Sequence, residues 1–189
     1  MVKNGKIKLI DFGFAFHKKP KRLMAGGTLN YIAPEILLGL EPTRAIDMWS
    51  FGCSLFMAYT TRDPFEGKNS FRRLLLEQER CLQKGYPKVL RERGVGEIWD
   101  RAHKKGDSSP GRYTLRSSLE RYGLRKEEDL SSVRAFMSTL EKIFEFEPEK
   151  RLKPKEALQE LPSWVQVSSP SISKGRKKVA YENTGHKSL

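Results

Sequence analysis

Asp11 is a carboxylate, a group able to hold a hard divalent cation. It follows Lys6 to Ile10, an alternating run with β-branched residues that predicts a short strand, and it precedes Phe12-Gly13. The tripeptide alone recurs by chance and decides nothing. Further along stand Gly27-Thr28-Leu29-Asn30-Tyr31, then Ala33-Pro34-Glu35, then Asp47-Met48-Trp49-Ser50-Phe51-Gly52. Near the far end Arg151 precedes Leu152 and Glu156-Ala157-Leu158, with Pro162 and Trp164 after. The three histidines, His17, His103 and His186, are each followed by Lys.

The elements that must position these residues can be read from hydrophobic spacing. Pro34 to Leu40 has room for one or two helical turns, ended by Gly39. Ala45 to Thr60 is apolar on every face, the mark of a buried helix, and predicts the central post of the core with Trp49 inside it. Asp47 then falls within a buried helix and would need partners. The alternative is an exposed Asp in the first turn, favoured by the helix dipole. Phe71 to Gln83 predicts a helix with Phe71, Leu74, Leu75 and Leu82 on one side. Val133 to Phe144 is the clearest amphipathic helix, with Ser131 or Asp129 as cap and Pro148 beyond its end. Pro154 suits the first turn of a last helix whose Ala157, Leu158 and Leu161 face inward. Between them, Gly85 to Asp129 is irregular, with anchors at Trp99, Tyr113, Leu115, Leu119, Tyr122 and Leu124. From Ser168 onward Ser, Gly, Lys and Arg dominate, which predicts a disordered tail.

Four motifs in this order and spacing resemble the C-terminal lobe of a protein kinase over about residues 5 to 165. The resemblance implies a mainly α fold, a kinase-like C-terminal lobe with a buried central helix and a minor β element. It implies domain limits of 1–165, with an irregular insert at about 85–130, and a basic tail at 166–189. Asp11 would be the magnesium ligand, with Phe12 and Gly13 completing the nucleotide-side motif. Thr28 would orient a catalytic Asp and the substrate hydroxyl, which points to Ser/Thr specificity; a plain turn residue is the other reading. Glu35 and Arg151 would form a buried ion pair, with Asp47 and Trp49 as structural residues of the central helix. Within kinases, the long insert and the run Ile36-Leu37-Leu38-Gly39-Leu40 before Thr43-Arg44-Ala45-Ile46-Asp47-Met48-Trp49 are similar to the CMGC group and its homeodomain-interacting kinases. Ile32 departs from that group, which usually has Arg before Ala-Pro-Glu.

A kinase's Gly-rich loop, its ATP-pairing Lys and its His-Arg-Asp loop all precede Asp-Phe-Gly. Ten residues precede Asp11, and the chain contains neither Gly-x-Gly-x-x-Gly nor His-Arg-Asp. The family activity is transfer of the ATP γ-phosphate, with Mg2+, to a protein hydroxyl. This chain alone is expected to be inactive and to hold no cofactor by itself. The other readings are a non-catalytic, pseudokinase-like scaffold or a basic interaction module.

The 189 residues carry 36 Lys and Arg against 23 Asp and Glu, a net charge of +13. Excess charge gathers at Lys18-Lys19-Pro20-Lys21-Arg22 and at Lys174-Gly175-Arg176-Lys177-Lys178. Such runs suit acidic or phosphorylated protein partners, or nuclear import, or are simply solvated. No stacking motif or groove-reading helix supports nucleic acid as a partner. Two cysteines cannot build a disulfide framework, so a reducing compartment, nucleus or cytoplasm, is expected. The start lacks the apolar segment of a signal peptide, and no apolar run is long enough to span a bilayer.

Overall fold

The computed structural model describes residues 2–3, 6–16, 27–67, 69–94, 96–104, 113–122 and 130–162. The Lys18–Arg22 run, Trp164 and the basic tail lie outside them. The described part is mainly helical. Its β element is a hairpin, β1 (Val2–Lys3) and β2 (Lys6–Ile7), antiparallel with Val2 opposite Ile7 and Lys3 opposite Lys6. The strand expected to reach Ile10 stops at Ile7. Leu9 and Ile10 stand exposed, without a neighbouring strand among the described residues.

After the hairpin, the described residues form eight α-helices. α1 (Pro34–Leu37) starts with proline at its first turn, where the missing N–H costs nothing. It ends on Gly39, whose φ of 74° is open to glycine. The N–H of Leu40 donates to the Glu35 carbonyl at 2.8 Å and that of Gly39 to Ile36 at 3.1 Å, which closes the helix end. α2 (Ala45–Thr60) crosses the centre. α3 (Phe71–Leu82) begins at Ser70, whose hydroxyl accepts from the Arg73 N–H at 3.4 Å. The stretch expected to be irregular contains α4 (Lys88–Arg93), α5 (Gly96–Lys104) and α6 (Leu115–Tyr122). These helices are short and amphipathic, and the glycines and charges between them hide their period. α7 (Leu130–Ile143) and α8 (Pro154–Glu160) complete the body. The Lys153 N–H donates to the Glu156 carboxylate at 2.8 Å and so satisfies an amide at the start of α8.

One core cluster runs from Ile32 to Leu161 and joins α1, α2, α3, α7 and the helices of the insert. Trp49 of α2 is fully buried at its middle. Its ring stacks on Phe65 at 5.3 Å and meets Phe144 edge-on at 5.1 Å, and Phe146 lies beyond at 6.3 Å. Gly52, one turn on, lies close against the end of α7 and the turn after it. A Cβ there would lie 2.5 Å from Ile143 Cγ2 and 3.0 Å from Phe144 Cε1.

The central helix departs from expectation on one side. Met48, Trp49, Cys53, Phe56 and Tyr59 are buried, but Asp47, Phe51, Ser54 and Ala58 are exposed along one face, with Met57 beside them. Asp47 is therefore not a buried carboxylate. It sits in the exposed first turn of α2, where the helix dipole favours negative charge. Two smaller expectations also change. Phe71 and Leu158 are exposed, and the inward positions of their helices are taken by Leu74, Leu75, Gln78 and Cys81, and by Ala157.

Candidate functional site

Asp11 takes a left-handed backbone conformation (φ 61°, ψ 71°), and its carboxylate accepts from the Gly13 N–H at 3.4 Å. Asp, short and able to bond its own backbone, tolerates this region better than most residues. Phe12–Phe14 form a single 3-10 turn, and all of it is exposed. Among the described residues no group of three His, Cys, Asp or Glu could hold a metal ion.

The segment from Gly27 to Ile36 is more fully built. Thr28 is exposed; its carbonyl accepts the Tyr31 N–H at 2.9 Å and opens a 3-10 turn, Leu29–Tyr31. Its hydroxyl caps nothing in that turn. Beside it lies a mostly apolar cavity of about 300 Å³, lined by Gly27, Thr28, Tyr31, Ile32, Ala33, Ile36, Ile46 and Ser50. No hydrogen bond joins Asp11 to Thr28 among the described residues.

Three successive carbonyls of this segment are held by side chains from elsewhere. Cys53 Sγ approaches the Asn30 carbonyl at 3.9 Å, Ser50 Oγ donates to that of Tyr31 at 3.1 Å, and Gln78 Nε2 donates to that of Ile32 at 3.0 Å. The side chain of Asn30 clasps the loop after α2. It accepts from the Gly67 N–H at 3.0 Å and donates to Asp63 at 2.8 Å. Burial, together with Asp63, pushes the Tyr31 phenol up to about 12, so it stays protonated and donates to Met57 Sδ at 3.3 Å. Burial likewise raises the Cys53 thiol, which leaves it a packing group and not a nucleophile.

Behind the cavity, Glu35 and Arg151 meet. Arg151 Nη1 donates to Glu35 Oε1 at 2.8 Å and Nη2 to Oε2 at 2.9 Å, with both side chains almost wholly buried. The remaining guanidinium protons go to the carbonyls of Ala45, Glu145 and Phe146. The guanidinium also lies 5.2 Å from the centre of the Trp49 ring. A buried charge pair is tolerable when every proton finds an acceptor, and here each nitrogen does. This fork fixes Ala33-Pro34-Glu35 against the start of α2 and the turn after α7.

Sequence reasoning singled out Asp11 with Phe12 and Gly13, Thr28, Glu35, Asp47, Trp49 and Arg151. It missed Asn30, Asp63 and Gln78. Gln78 did leave a trace, as a polar residue one turn after Leu74 on the apolar face of α3. Asn30 and Asp63 left none, because a clasp across 33 residues between two loops has no local period.

Comparison with known proteins adds the following. The protein kinase domain family matches residues 1–163. The chain is 30% identical over 162 residues to dual specificity protein kinase CLK2 of Mus musculus, covering 84% of the chain and 32% of that protein. It is 32% identical over 160 residues to cyclin-dependent kinase 12 of Caenorhabditis elegans, covering 82% of the chain and 20% of that protein. Over a shorter run of 77 residues it is 43% identical to the SNF-related serine/threonine-protein kinase of Rattus norvegicus, covering 39% of the chain and 10% of that protein. The chain thus spans a third or less of the length of each of these relatives.

Proposed function

The chain belongs to the protein kinase family, with CMGC-like relatives, and from that premise we propose that it supplies the acceptor-binding half of a Ser/Thr kinase domain. In an intact domain of this family the reaction is transfer of the ATP γ-phosphate to a protein hydroxyl, with Mg2+ as the charge-neutralising ion. The single observation that carries the reading is the cavity beside Thr28, backed by the buried Glu35–Arg151 fork. Thr28 stands at its exposed rim, where a hydroxyl can meet a substrate hydroxyl, and Ile32, Ile36 and Ile46 offer an apolar wall to the neighbouring side chain. Binding and orientation of the acceptor are what these residues contribute.

The chain on its own is proposed to be catalytically silent. Phosphoryl transfer rests almost wholly on electrostatic positioning. The sequence carries one metal ligand, Asp11, and no Gly-rich loop or His-Arg-Asp loop to position phosphates or take a proton. Incubation with Mg-ATP labelled at the γ-phosphate, together with Ser, Thr and Tyr acceptor peptides, is expected to give no transfer. Turnover that disappears in Asp11→Ala would overturn that statement.

A second reading, a non-catalytic interaction module, is favoured by the net charge of +13 and the exposed Phe51 and Met57 of α2. Tight capture of acidic partners with no binding of acceptor peptides would favour it over the kinase reading.

A further inference from the structure

The Ile32 carbonyl of the cavity-lining segment is held by a side-chain amide of α3, that of Gln78, which is itself held by the insert. The side chain of Gln78 is fully buried. Its orientation follows from its partners. The Ile32 carbonyl can only accept, so Nε2 faces it at 3.0 Å. That leaves Oε1 for the Tyr86 hydroxyl, which donates to it. Tyr86 lies just past α3, at the start of the 85–130 stretch, and its ring stacks on Phe146 at 4.2 Å. The next residue of α3, Glu79, grips the same stretch with both carboxylate oxygens. It accepts from the Tyr86 N–H at 3.0 Å, from Trp99 Nε1 at 3.4 Å, and meets His103 Nε2 at 2.7 Å.

We infer that Gln78 is a positioning residue for the acceptor cavity, and that it ties the placement of Ile32 and Ala33 to the docking of the insert on α3. Ile32 and Ala33 form part of the cavity wall. The carbonyls before them answer to α2, through Cys53 and Ser50; the Ile32 carbonyl alone answers to α3. A buried carbonyl that loses its donor is costly, so the segment would shift to find another partner or admit water. Tyr86 holds Gln78 in its rotamer, so lifting the insert off α3 frees the amide. The inference rests on the kinase reading only where it names the cavity's occupant, a peptide with an apolar side chain next to the acceptor hydroxyl.

The test is residue-resolved amide exchange on the whole chain, for wild type, Gln78→Met and Tyr86→Phe. Gln78→Met keeps the length of the side chain and removes both polar atoms; Tyr86→Phe removes one hydroxyl. The amides of Tyr31, Ile32, Ile36 and Leu37, all hydrogen-bonded within the segment, report locally. Those of Phe144 and Leu161 report on the rest of the core. Gln78→Met is expected to speed exchange in the first group by roughly tenfold with the second group unchanged, and Tyr86→Phe to do the same by a smaller factor, since a lost buried partner acts on its neighbours. Equal acceleration everywhere, or none in the first group, overturns the inference. If Gln78→Met does not fold, Tyr86→Phe decides on the same amides. Titration of wild type with an acceptor peptide separates the two readings: local acceleration without any peptide binding keeps the coupling and removes the peptide from the cavity.

Discussion

At the scale of single residues, the Glu35–Arg151 fork sets the largest expected effects. The net worth of a buried ion pair over a packed apolar pair is small, but breaking it strands a charge at a cost of roughly 3–5 kcal/mol. A domain of this size has about 5–15 kcal/mol in total. Urea titration should therefore find Glu35→Ala and Arg151→Ala each mostly unfolded or shifted far down in midpoint, and the double mutant should lose clearly less than the sum. Arg151→Lys should also lose stability, because Lys cannot present two parallel donors. Additive losses would remove the pair as a structural unit. Glu145 carries a second, pH-dependent effect. Partial burial raises its carboxyl, but Lys84 at 3.2 Å and the amide N–H groups of Phe146 and Glu147 outweigh this and hold it below the usual value of about 4.5. A carboxyl depressed in the folded state adds stability above its unfolded value and loses it as pH falls through the lower folded one. The urea midpoint should thus drop on acidification below about 4.5, and Glu145→Gln should flatten that drop; an unchanged acid profile in the variant would contradict the assignment.

At the scale of elements, Gly52 explains why a motif reads Asp-x-Trp-Ser-x-Gly. Trp49 fills the core, Ser50 holds the Tyr31 carbonyl, and Gly52 lets α7 approach. Its Cβ neighbours are tightly packed side chains, so Gly52→Ala should cost about 1–3 kcal/mol through overpacking, in spite of alanine's better helix propensity. A thermal midpoint at or above wild type would show that Ile143 can yield. Much of this scale was legible in the sequence. Val133, Phe136, Met137, Leu140, Ile143 and Phe144 recur at helical spacing, and all but the half-buried Val133 are buried, Phe144 just past the end of α7. The Pro34 start and Gly39 stop of α1 are local signals and were equally plain. What periodicity could not supply is the face a helix turns to solvent. α2 looked apolar all round because Phe51, Met57 and Ala58 count as apolar, yet they lie on its open side with Asp47. Tertiary contacts decide such cases. The same holds for the site: residue types pointed to Thr28, Glu35 and Arg151, but the hold of Gln78 on a carbonyl 46 residues away lies beyond any local pattern.

At the scale of the whole molecule, beside a smaller cluster of Met48, Ile143 and Ala157, one large core cluster links Ile32 to Leu161. The insert helices share it through Leu90, Ala102, Leu115 and Leu119. The body should accordingly unfold as one unit, with Trp fluorescence and far-UV circular dichroism coinciding along a urea titration. Separate transitions would mean that the insert is its own unit and would weaken its tie to α3. Against this closed interior stand two open apolar sets, Leu9, Ile10, Phe12, Phe14 and Phe16 before the cavity segment, and Phe51 with Met57 on α2. Surface of that kind, in water, is what chaperones retain and proteases clear. A cell would therefore keep this polypeptide in proportion to whatever covers those side chains, and synthesis in excess of that cover would end as turnover, not as accumulated protein.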